Sequence, residues 1–242
     1  MYSPKIKRYQ KKFDYSYAFG AYPVLDLLKN YPEKVLKILL KENTDVSVGI
    51  SEIKDICTEK GIPLEYGDRL IDKISVKENT YVVGIFSKYD LELEGDTNHI
   101  VLVNPTNTGN LGTTIRTMLG FGLKDLAIIK PGVDIFDPMV IRSTMGAIFN
   151  IRFKYFNTFE EYREKYPSNN LYPFMLDGAK DISDVEFKQP YTLIHGNESE
   201  GLSSEFKDIG QSVYIPHSKD IDSLNLSVAT AISIWEVSKR VS

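Results

Sequence analysis

A polar, glycine-containing segment at residues 104–116 carries the first side chains that could do chemistry. It follows a run rich in Val and Leu and contains Asn107, Gly109 and Gly112 before reaching Arg116. Glycines let a backbone turn tightly and approach a ligand, and a helix that starts after them offers unpaired N–H groups to an anion. Arg116 follows Gly112 by about one helical turn, where a guanidinium can hold a phosphate or an acidic hydroxyl. The glycine spacing fits neither a phosphate loop nor a dinucleotide fingerprint.

A second segment, residues 196–202, follows an apolar run at residues 191–195. It places two glycines and two carboxylates, Glu198 and Glu200, directly after a predicted buried strand. In a parallel sheet the ligand lies at the carboxyl ends of the strands, so this loop is a candidate binding loop. A plain strand-to-helix turn is the alternative.

A third segment, residues 215–229, leads into the last predicted helix. Ser223 is a suitable N-cap, with Asn225 and Ser227 in the first turn beside the positive end of the helix. The apolar residues that follow at helical spacing are typical of a core-facing helix. This segment therefore combines a predicted core helix with a polar entry loop.

The three segments together resemble the SpoU (TrmH-like) family of RNA ribose methyltransferases, part of the knotted SPOUT superfamily. The residues that match its three motifs, in chain order, are Asn107, Gly109, Asn110, Gly112 and Arg116, then Gly196, Glu198, Gly201 and Leu202, then Ile215, Pro216, Ser223, Leu224, Asn225, Ser227, Val228 and Ala229. The order and spacing of the motifs also agree with the family.

The resemblance implies S-adenosylmethionine as methyl donor, a ribose 2'-hydroxyl as acceptor, a trefoil knot, a homodimer and no metal. The positions that it implies for catalysis are Arg116, Asn107, Glu198, Ser223 and Asn225. The positions that it implies for donor binding are Ile194, Gly196, Asn197, Gly201, Ile215, Leu224 and Ser227. Donor contacts are expected mainly from main-chain groups.

Arg116 is expected to act as a fixed cation. A guanidinium is always protonated, so it suits holding a phosphate and stabilising developing oxyanion charge better than accepting a proton. The resemblance gives Asn107 the orientation of Arg116 or of the ribose, Glu198 the organisation of its loop, and Ser223 and Asn225 the completion of the pocket. His195 and His217 adjoin motif positions but have no family role, and we expect them to be structural or exposed.

One stretch departs from the family. After Ile215 and Pro216 the family commonly has Met, any residue, then Gly, whereas this chain has His217, Ser218 and Lys219. The family motif therefore does not predict the shape of this turn. Lys219 could contribute an RNA contact.

The elements that must position these loops are predicted to be alternating strands and helices. From residue 96 onward, strand-like runs rich in Val, Ile and Leu alternate with helical patterns, which predicts a mainly parallel sheet with helices on both faces. The segment before it reads as a small α/β sandwich, similar to the RNA-binding domain that often precedes this catalytic domain. An acidic, polar stretch at residues 90–98 sets the predicted domains at residues 1–95 and 96–242.

Charge is unevenly distributed along the chain. The net charge is −4, yet residues 1–95 carry 15 Lys or Arg against 15 Asp or Glu, so the deficit lies in residues 96–242. The first residues form a basic arm that also contains tyrosines, with cations at Lys5, Lys7, Arg8, Lys11 and Lys12. Such an arm can grip phosphates and stack on bases, or it can be a frayed terminus.

Composition is that of an ordinary globular protein, with 42% hydrophobic and 26% charged residues. No run is long and apolar enough to predict a membrane helix, and the polar start is not typical of a secretion signal. The one cysteine, Cys57, can form neither an intramolecular disulfide nor a cysteine zinc cluster, which favours a reducing compartment. We therefore expect a cytoplasmic protein without a membrane or metal partner.

Several functions stay open at this point. Structured RNA is the expected partner, with ribosomal RNA favoured over transfer RNA because an appended RNA-binding domain suits a large folded target. The alternatives are ribose methylation of transfer RNA, methylation of a base nitrogen, and a non-catalytic RNA-binding protein on the same fold. A nucleotide-dependent oxidoreductase is disfavoured by the missing glycine fingerprint.

Overall fold

The computed structural model describes residues 6–42, 44, 48–75, 79–177 and 179–240. Their contacts divide the chain into two compact units, the first formed by Met1–Tyr89 with Asp134–Asn150 and the second by Asp90–Val133 with Ile151–Ser242. The predicted boundary at residue 95 misses this later segment of the first unit. This later segment belongs to the first unit because it packs into that unit's core. Phe149 contacts Phe86 edge to face, with ring centroids 5.4 Å apart.

The described ranges contain eleven strands and seven α-helices. The strands are β1 (Tyr15–Phe19), β2 (Val35–Leu40), β3 (Leu64–Tyr66), β4 (Val82–Ser87), β5 (His99–Val103), β6 (Asp125–Ile129), β7 (Arg152–Phe156), β8 (Asn170–Pro173), β9 (Lys180–Asp181), β10 (Tyr191–His195) and β11 (Val213–Tyr214). The helices are α1 (Ala21–Asn30), α2 (Val48–Lys60), α3 (Asp68–Ile74), α4 (Thr108–Gly120), α5 (Pro138–Ser143), α6 (Phe159–Lys165) and α7 (Leu226–Ser238).

The first unit is built on a four-stranded sheet in the order β1-β4-β2-β3. β4 pairs antiparallel with β1 and β2, and β3 pairs parallel with β2. One face packs an apolar cluster that includes Tyr17 and Ile85 against Ile71 of α3. On the other face α1 packs closely, because a Cβ at Gly84 would lie only 3.0 Å from Leu27.

The start of the chain is packed on this first unit from residue 6 onward. Ile6, Tyr9 and Phe13 lie against the same apolar cluster, and Phe13 stacks on Tyr15 with ring centroids 5.0 Å apart. The hydroxyl of Tyr17 donates to the carbonyl oxygen of Lys7. The frayed-terminus alternative is therefore wrong for residues 6–13, whereas Lys5 lies outside the described residues.

The second unit holds the predicted parallel sheet, with five strands in the order β7-β6-β5-β10-β8. Every pair in it is parallel. The central strands are apolar and buried, as strands covered on both faces must be. β11 is not part of this sheet, since it pairs with β9 in a separate two-stranded ribbon.

The strand order changes direction between β5 and β10. From β5 the chain adds β6 and β7 on one side, whereas β10 and β8 lie on the other. At such a switch point the loops after two adjacent strands separate and leave a crevice at their carboxyl ends. The loop after β5 is the first candidate loop and the loop after β10 is the second, so the topology places both at one edge.

No helix among the described residues is long and apolar enough to cross a membrane.

Candidate active site

The first candidate loop is organised by Asn107, which caps α4. Its side-chain oxygen accepts hydrogen bonds from the backbone N–H groups of Gly109, at 2.8 Å, and Asn110, at 3.0 Å. The predicted helix start at Gly112 is therefore wrong, since the cap begins the helix at Thr108 and puts both glycines inside it. Arg116 consequently lies about two turns into the helix rather than one, with an exposed side chain.

The second loop is pinned to the first by Asn197. Its Nδ2 donates to the carbonyl oxygen of Asn104 at 2.7 Å, and its Oδ1 accepts from the backbone N–H of Ser199 at 2.8 Å. Asn104 has a left-handed backbone with φ of 52°, a conformation that asparagine tolerates better than most residues. The Asn197 side chain therefore holds the second loop to the first.

Position 196 in the same loop requires glycine, because the backbone of Gly201 lies against it. Asn197 and Gly201 exchange backbone hydrogen bonds of 3.1 and 2.9 Å, which closes a tight turn. A Cβ on Gly196 would lie 2.1 Å from the carbonyl carbon of Gly201. No side chain fits there without moving the backbone of the turn.

Glu198 joins the second loop to the first through both carboxylate oxygens. Oε2 accepts from the backbone N–H of Thr106 at 3.0 Å and from its hydroxyl at 2.8 Å. Oε1 accepts from the backbone N–H of Asn107 and from the Nδ2 of Asn110, both at 3.1 Å. Partial burial disfavours the charged form, but these donors outweigh it and lower the pKa of Glu198.

The third loop is attached to the first by Asn225. Its Nδ2 donates to the Oδ1 of Asn110 at 3.0 Å, and its Oδ1 accepts from the backbone N–H of Ser227 at 2.9 Å. Asn225 is therefore the N-cap of α7, and the prediction of Ser223 in that role is wrong. Ser223 precedes the helix as an exposed residue of the loop.

Asn110 is the residue through which all three loops are connected. One side-chain atom donates to Glu198 of the second loop and the other accepts from Asn225 of the third. The motif match contained Asn110, but no role was predicted for it. Its partners lie 88 and 115 positions away in sequence, so local spacing could not reveal the connection.

A cleft of about 450 Å³ opens beside this network. It is lined by the segment after β8, by His195 at the end of β10, by the second loop, and by the third loop with the first turn of α7. The predicted site residues that line it are Gly196, Asn197, Glu198, Gly201, Ile215, Ser223 and Leu224. The predicted site residues that do not line it are Arg116, Asn107, Asn225, Ile194 and Ser227. Ile194 is buried inside β10, and Ser227 is buried at the start of α7.

The segment after β8 was missed as part of the site. Phe174, Met175, Leu176 and Asp177 contribute to the wall of the cleft. The largely apolar run at residues 171–176 favours a strand of that length, but β8 ends at Pro173. A proline within a predicted strand was the available signal for an early end.

Comparison with known proteins places this geometry in a family. The model of the SpoU rRNA methylase family matches residues 97–235. The chain belongs to the SpoU rRNA methylase family. The match covers all three loops.

Two curated relatives illustrate the range of SpoU proteins that this chain resembles. The 23S rRNA (uridine(2479)-2'-O)-methyltransferase of Streptomyces viridochromogenes is 30% identical over 152 residues, covering 59% of this chain and 53% of the relative. A protein named as a tRNA (cytidine(34)-2'-O)-methyltransferase in Listeria innocua is 30% identical over 151 residues, covering 60% of this chain and 89% of the relative. The matched region thus spans about half the length of the Streptomyces protein.

Solved SpoU-type structures share the whole fold. The AdoMet-bound rRNA methyltransferase from Sinorhizobium meliloti superimposes with a TM-score of 0.81 at 25% identity, covering 95% of this chain and 88% of that one. The SpoU methyltransferase AviRb from Streptomyces viridochromogenes gives a TM-score of 0.80 at 20% identity, covering 93% and 89%. The likeness extends over both units, although the family model covers only residues 97–235.

The histidines beside the SpoU motifs differ in their surroundings. His195 is buried in β10, stacks on Phe174 with ring centroids 4.6 Å apart, and contacts Ser233. Burial lowers the pKa of His195 to about 3, so its imidazole is neutral near neutral pH. His217, at the departure from the family motif, donates from Nδ1 to the carbonyl oxygen of Ile215 at 2.8 Å and lines the cleft.

Charged side chains give this SpoU cleft an acidic lining. Four carboxylates, Asp177, Glu198, Glu200 and Asp222, line it together with one lysine, Lys207. Lys207 pairs with Asp177 at 2.5 Å. The remaining negative charge favours a ligand with cationic groups.

Proposed function

We propose that this protein transfers a methyl group from S-adenosylmethionine to a ribose 2'-hydroxyl of structured RNA, with ribosomal RNA as the favoured substrate. One observation carries the proposal: Asn110 bonds both Glu198 and Asn225, at 3.1 and 3.0 Å. The helix that bears Arg116 is thereby fixed relative to the two loops that line the cleft. Alignment of two reactants is the main demand of a methyl transfer.

The residues of the cleft fit S-adenosylmethionine. Its volume of about 450 Å³ lies in the range of small-molecule pockets. Gly196 and Gly201 of the second loop line the cleft together with Ile215 and Leu224 of the third loop. S-adenosylmethionine supplies an electrophilic methyl group on a sulfonium, and its cationic groups suit the acidic lining.

Each residue of the network has a task in this proposal. The exposed Arg116 holds the phosphate next to the target ribose and stabilises negative charge on the attacking 2'-oxygen. Asn107 uses its side-chain oxygen to cap α4, so it positions Arg116 through the helix rather than by direct contact. Glu198 and Asn225 keep the loops in register, and Ser223 completes the pocket.

We also propose the homodimer and the trefoil knot that the resemblance implies. Support for a dimer comes from α7, where Val228 and Trp235 are 47% and 51% exposed. They are seven residues apart, about two helical turns, so they share one face of the helix. An apolar face of this kind suits a second copy of the chain. A dimer mass in light scattering, reduced to a monomer mass by Trp235→Glu, would test it.

The proposed RNA class and location follow the relatives. Their names include methyltransferases of both 23S rRNA and tRNA, so tRNA ribose methylation is the second candidate. Both substrates would place the protein in the cytoplasm.

The deciding experiment measures where the methyl group goes. The full chain is incubated with radiolabelled S-adenosylmethionine and with unmodified rRNA or tRNA, and the product is digested with alkali. A 2'-O-methyl group blocks cleavage at its 3' side, so label is expected in alkali-resistant dinucleotides. Label in base-methylated mononucleotides would contradict ribose methylation, and absence of donor binding in calorimetry would favour a non-catalytic RNA-binding protein.

A further inference from the structure

The packed arm of the first unit lies beside a second group of cations on α3. The Nε of Arg8 donates to the carbonyl oxygen of Lys73 at 3.1 Å, which joins the arm to the end of α3. Arg69 and Lys73 are exposed and four residues apart, so they share one face of this helix. The inward side of α3 is apolar and buried through Ile71 and Ile74.

The acidic residues of α3 are already bonded elsewhere. Asp72 pairs with Lys41 at 2.5 Å, and Asp68 accepts the backbone N–H of Glu42 at 2.8 Å. In the described part of the chain, no ion pair involves Lys7, Arg8, Lys11, Lys12, Arg69 or Lys73, all of which are exposed. The arm and α3 together carry these six cations against three acidic residues, Asp14, Asp68 and Asp72, and the two acids on α3 are already bonded.

The arm is held in place by contacts that leave its cations exposed. Tyr9 and Phe13 are packed on the apolar cluster, and the Nζ of Lys88 donates to the carbonyl oxygen of Lys11 at 2.9 Å. Lys88 is itself fixed by Asp134 at 3.2 Å. Cations on a fixed backbone lose less conformational freedom on binding a phosphate chain than cations on a disordered tail.

We infer that Arg69 and Lys73 of α3 extend the basic arm into one continuous surface that binds the phosphate backbone of the substrate RNA. The inference rests on the proposed function and adds to it the face of the first unit that receives RNA. RNA is the occupant that the observations favour, because an exposed tyrosine, Tyr66, immediately precedes the Gly67–Asp68 start of α3 and offers a stacking surface for a base.

The test compares two double variants of equal charge change. Arg69→Gln with Lys73→Gln removes the α3 cations, whereas Lys29→Gln with Lys60→Gln removes two lysines from α1 and α2 of the same unit. RNA affinity is measured as a function of salt, and urea unfolding confirms that both variants are folded. We expect the α3 variant to bind RNA about tenfold more weakly near 0.1 M salt, with a salt slope lower by roughly one to two units. The control should match the unmodified protein.

Kinetics separate this inference from the proposed function. The α3 variant should raise KM for RNA and leave kcat and the affinity for S-adenosylmethionine unchanged. Unchanged RNA affinity and KM in a methyl-transferring protein would overturn the inference alone, and so would a loss of binding to anionic phosphatidylserine vesicles with RNA binding intact. Absence of any methyl transfer to RNA by the unmodified protein would instead overturn the proposed function.

Discussion

The Nε2 atom of His195 lies 3.0 Å from the hydroxyl oxygen of Ser233, and that hydroxyl donates to the carbonyl oxygen of Thr230 at 2.8 Å. A hydroxyl has one hydrogen to give, so Nε2 must carry the proton of the pair. His195 is therefore a neutral donor that ties β10 to α7 at the wall of the cleft. Burial makes it a poor proton acceptor near neutral pH, which removes it from consideration as a general base.

Substitution of His195 should change the pH dependence of stability. Burial lowers its pKa in the folded state to about 3. The unfolded chain takes up a proton near pH 6.5, so between about pH 6.5 and about pH 3 this residue lowers the free energy of unfolding by roughly 1.4 kcal/mol per pH unit. In His195→Gln the fall in stability from about pH 7 to about pH 5, measured by urea unfolding, should become shallower. An unchanged slope in His195→Gln would contradict the assignment.

Arg116→Ala should stop methyl transfer while the donor still binds. The exposed guanidinium is not part of the cleft wall, so calorimetry should give an unchanged affinity for S-adenosylmethionine. Loss of a donor that stabilises developing charge costs roughly 100- to 1000-fold in kcat. Arg116→Lys keeps the charge but not the planar fork and should recover only part of the rate. Full activity in Arg116→Ala would remove this residue from the mechanism.

Gly196→Ala should disrupt donor binding. The new methyl group would lie 2.1 Å from the carbonyl carbon of Gly201, so the turn that lines the cleft must shift. We expect the affinity for S-adenosylmethionine to fall at least about tenfold, as overpacking typically costs 1–3 kcal/mol. Gly120→Ala is the matched control, because a Cβ there meets nothing within 4 Å and the residue ends α4. The control should bind S-adenosylmethionine with unchanged affinity. Unchanged affinity in Gly196→Ala would contradict the expected steric clash with Gly201.

Asn110→Ala should lower kcat more than it weakens donor binding. The change removes the bonds to Glu198 and Asn225, so α4 loses its fixed position relative to the other loops. Misplacement by about 1 Å can cost roughly 100-fold in rate, whereas the cleft itself keeps its lining residues. Asn157→Ala, which removes exposed bonds to Glu161 and Lys130, serves as the control. Equal activity of the two variants would show that the connection is dispensable.

Asp125→Asn should destabilise the second unit above acidic pH. The Asp125 carboxylate is buried and accepts from Nε and Nη2 of Arg152 at 2.7 and 2.6 Å. Burial opposes ionisation, but Arg152 prevails and lowers the pKa of Asp125. Because the folded pKa is lowered, the stabilisation is present above the unfolded pKa of about 3.9 and is lost as pH falls through the folded pKa. At neutral pH we expect a loss of about 2–3 kcal/mol in urea unfolding, given the partial exposure of Arg152.

The exposed pair of Asp72 and Lys41 provides the comparison for that prediction. Asp72→Asn should cost less than about 1 kcal/mol, since exposed ion pairs contribute little. If the stability difference between the protein and Asp125→Asn stayed constant down to strongly acidic pH, the ion pair would not be its source.

The parallel sheet was predictable because the local sequence of its central strands is enough to indicate them. The runs at β5, β6 and β10 are continuous and apolar, as strands buried on both faces must be, and the predicted runs overlapped all three. β1 was missed because its sequence, Tyr-Ser-Tyr-Ala-Phe, is buried at every position and mixes a polar residue into the run. Ser16 is accommodated by donating to the carbonyl oxygen of Phe136, a partner 120 positions away.

The helix starts and the links between loops were harder to predict for a related reason. Ser223 satisfies the local N-cap rule for α7 as well as Asn225 does, and only the bond from Asn225 to Asn110 distinguishes them. The same holds for Asn107, whose cap at α4 sits next to the Glu198 carboxylate of another loop. Local rules predicted that caps exist, whereas tertiary contacts selected the residues.

The two-part make-up of each unit restricts how the protein can be cut and recombined. The chain leaves the first unit after Tyr89, returns for Asp134–Asn150, and then completes the second. No single cut of the chain therefore separates the two units intact. An evolutionary exchange of either unit between relatives would have to replace two stretches of gene at once, which favours inheritance of the pair as a block.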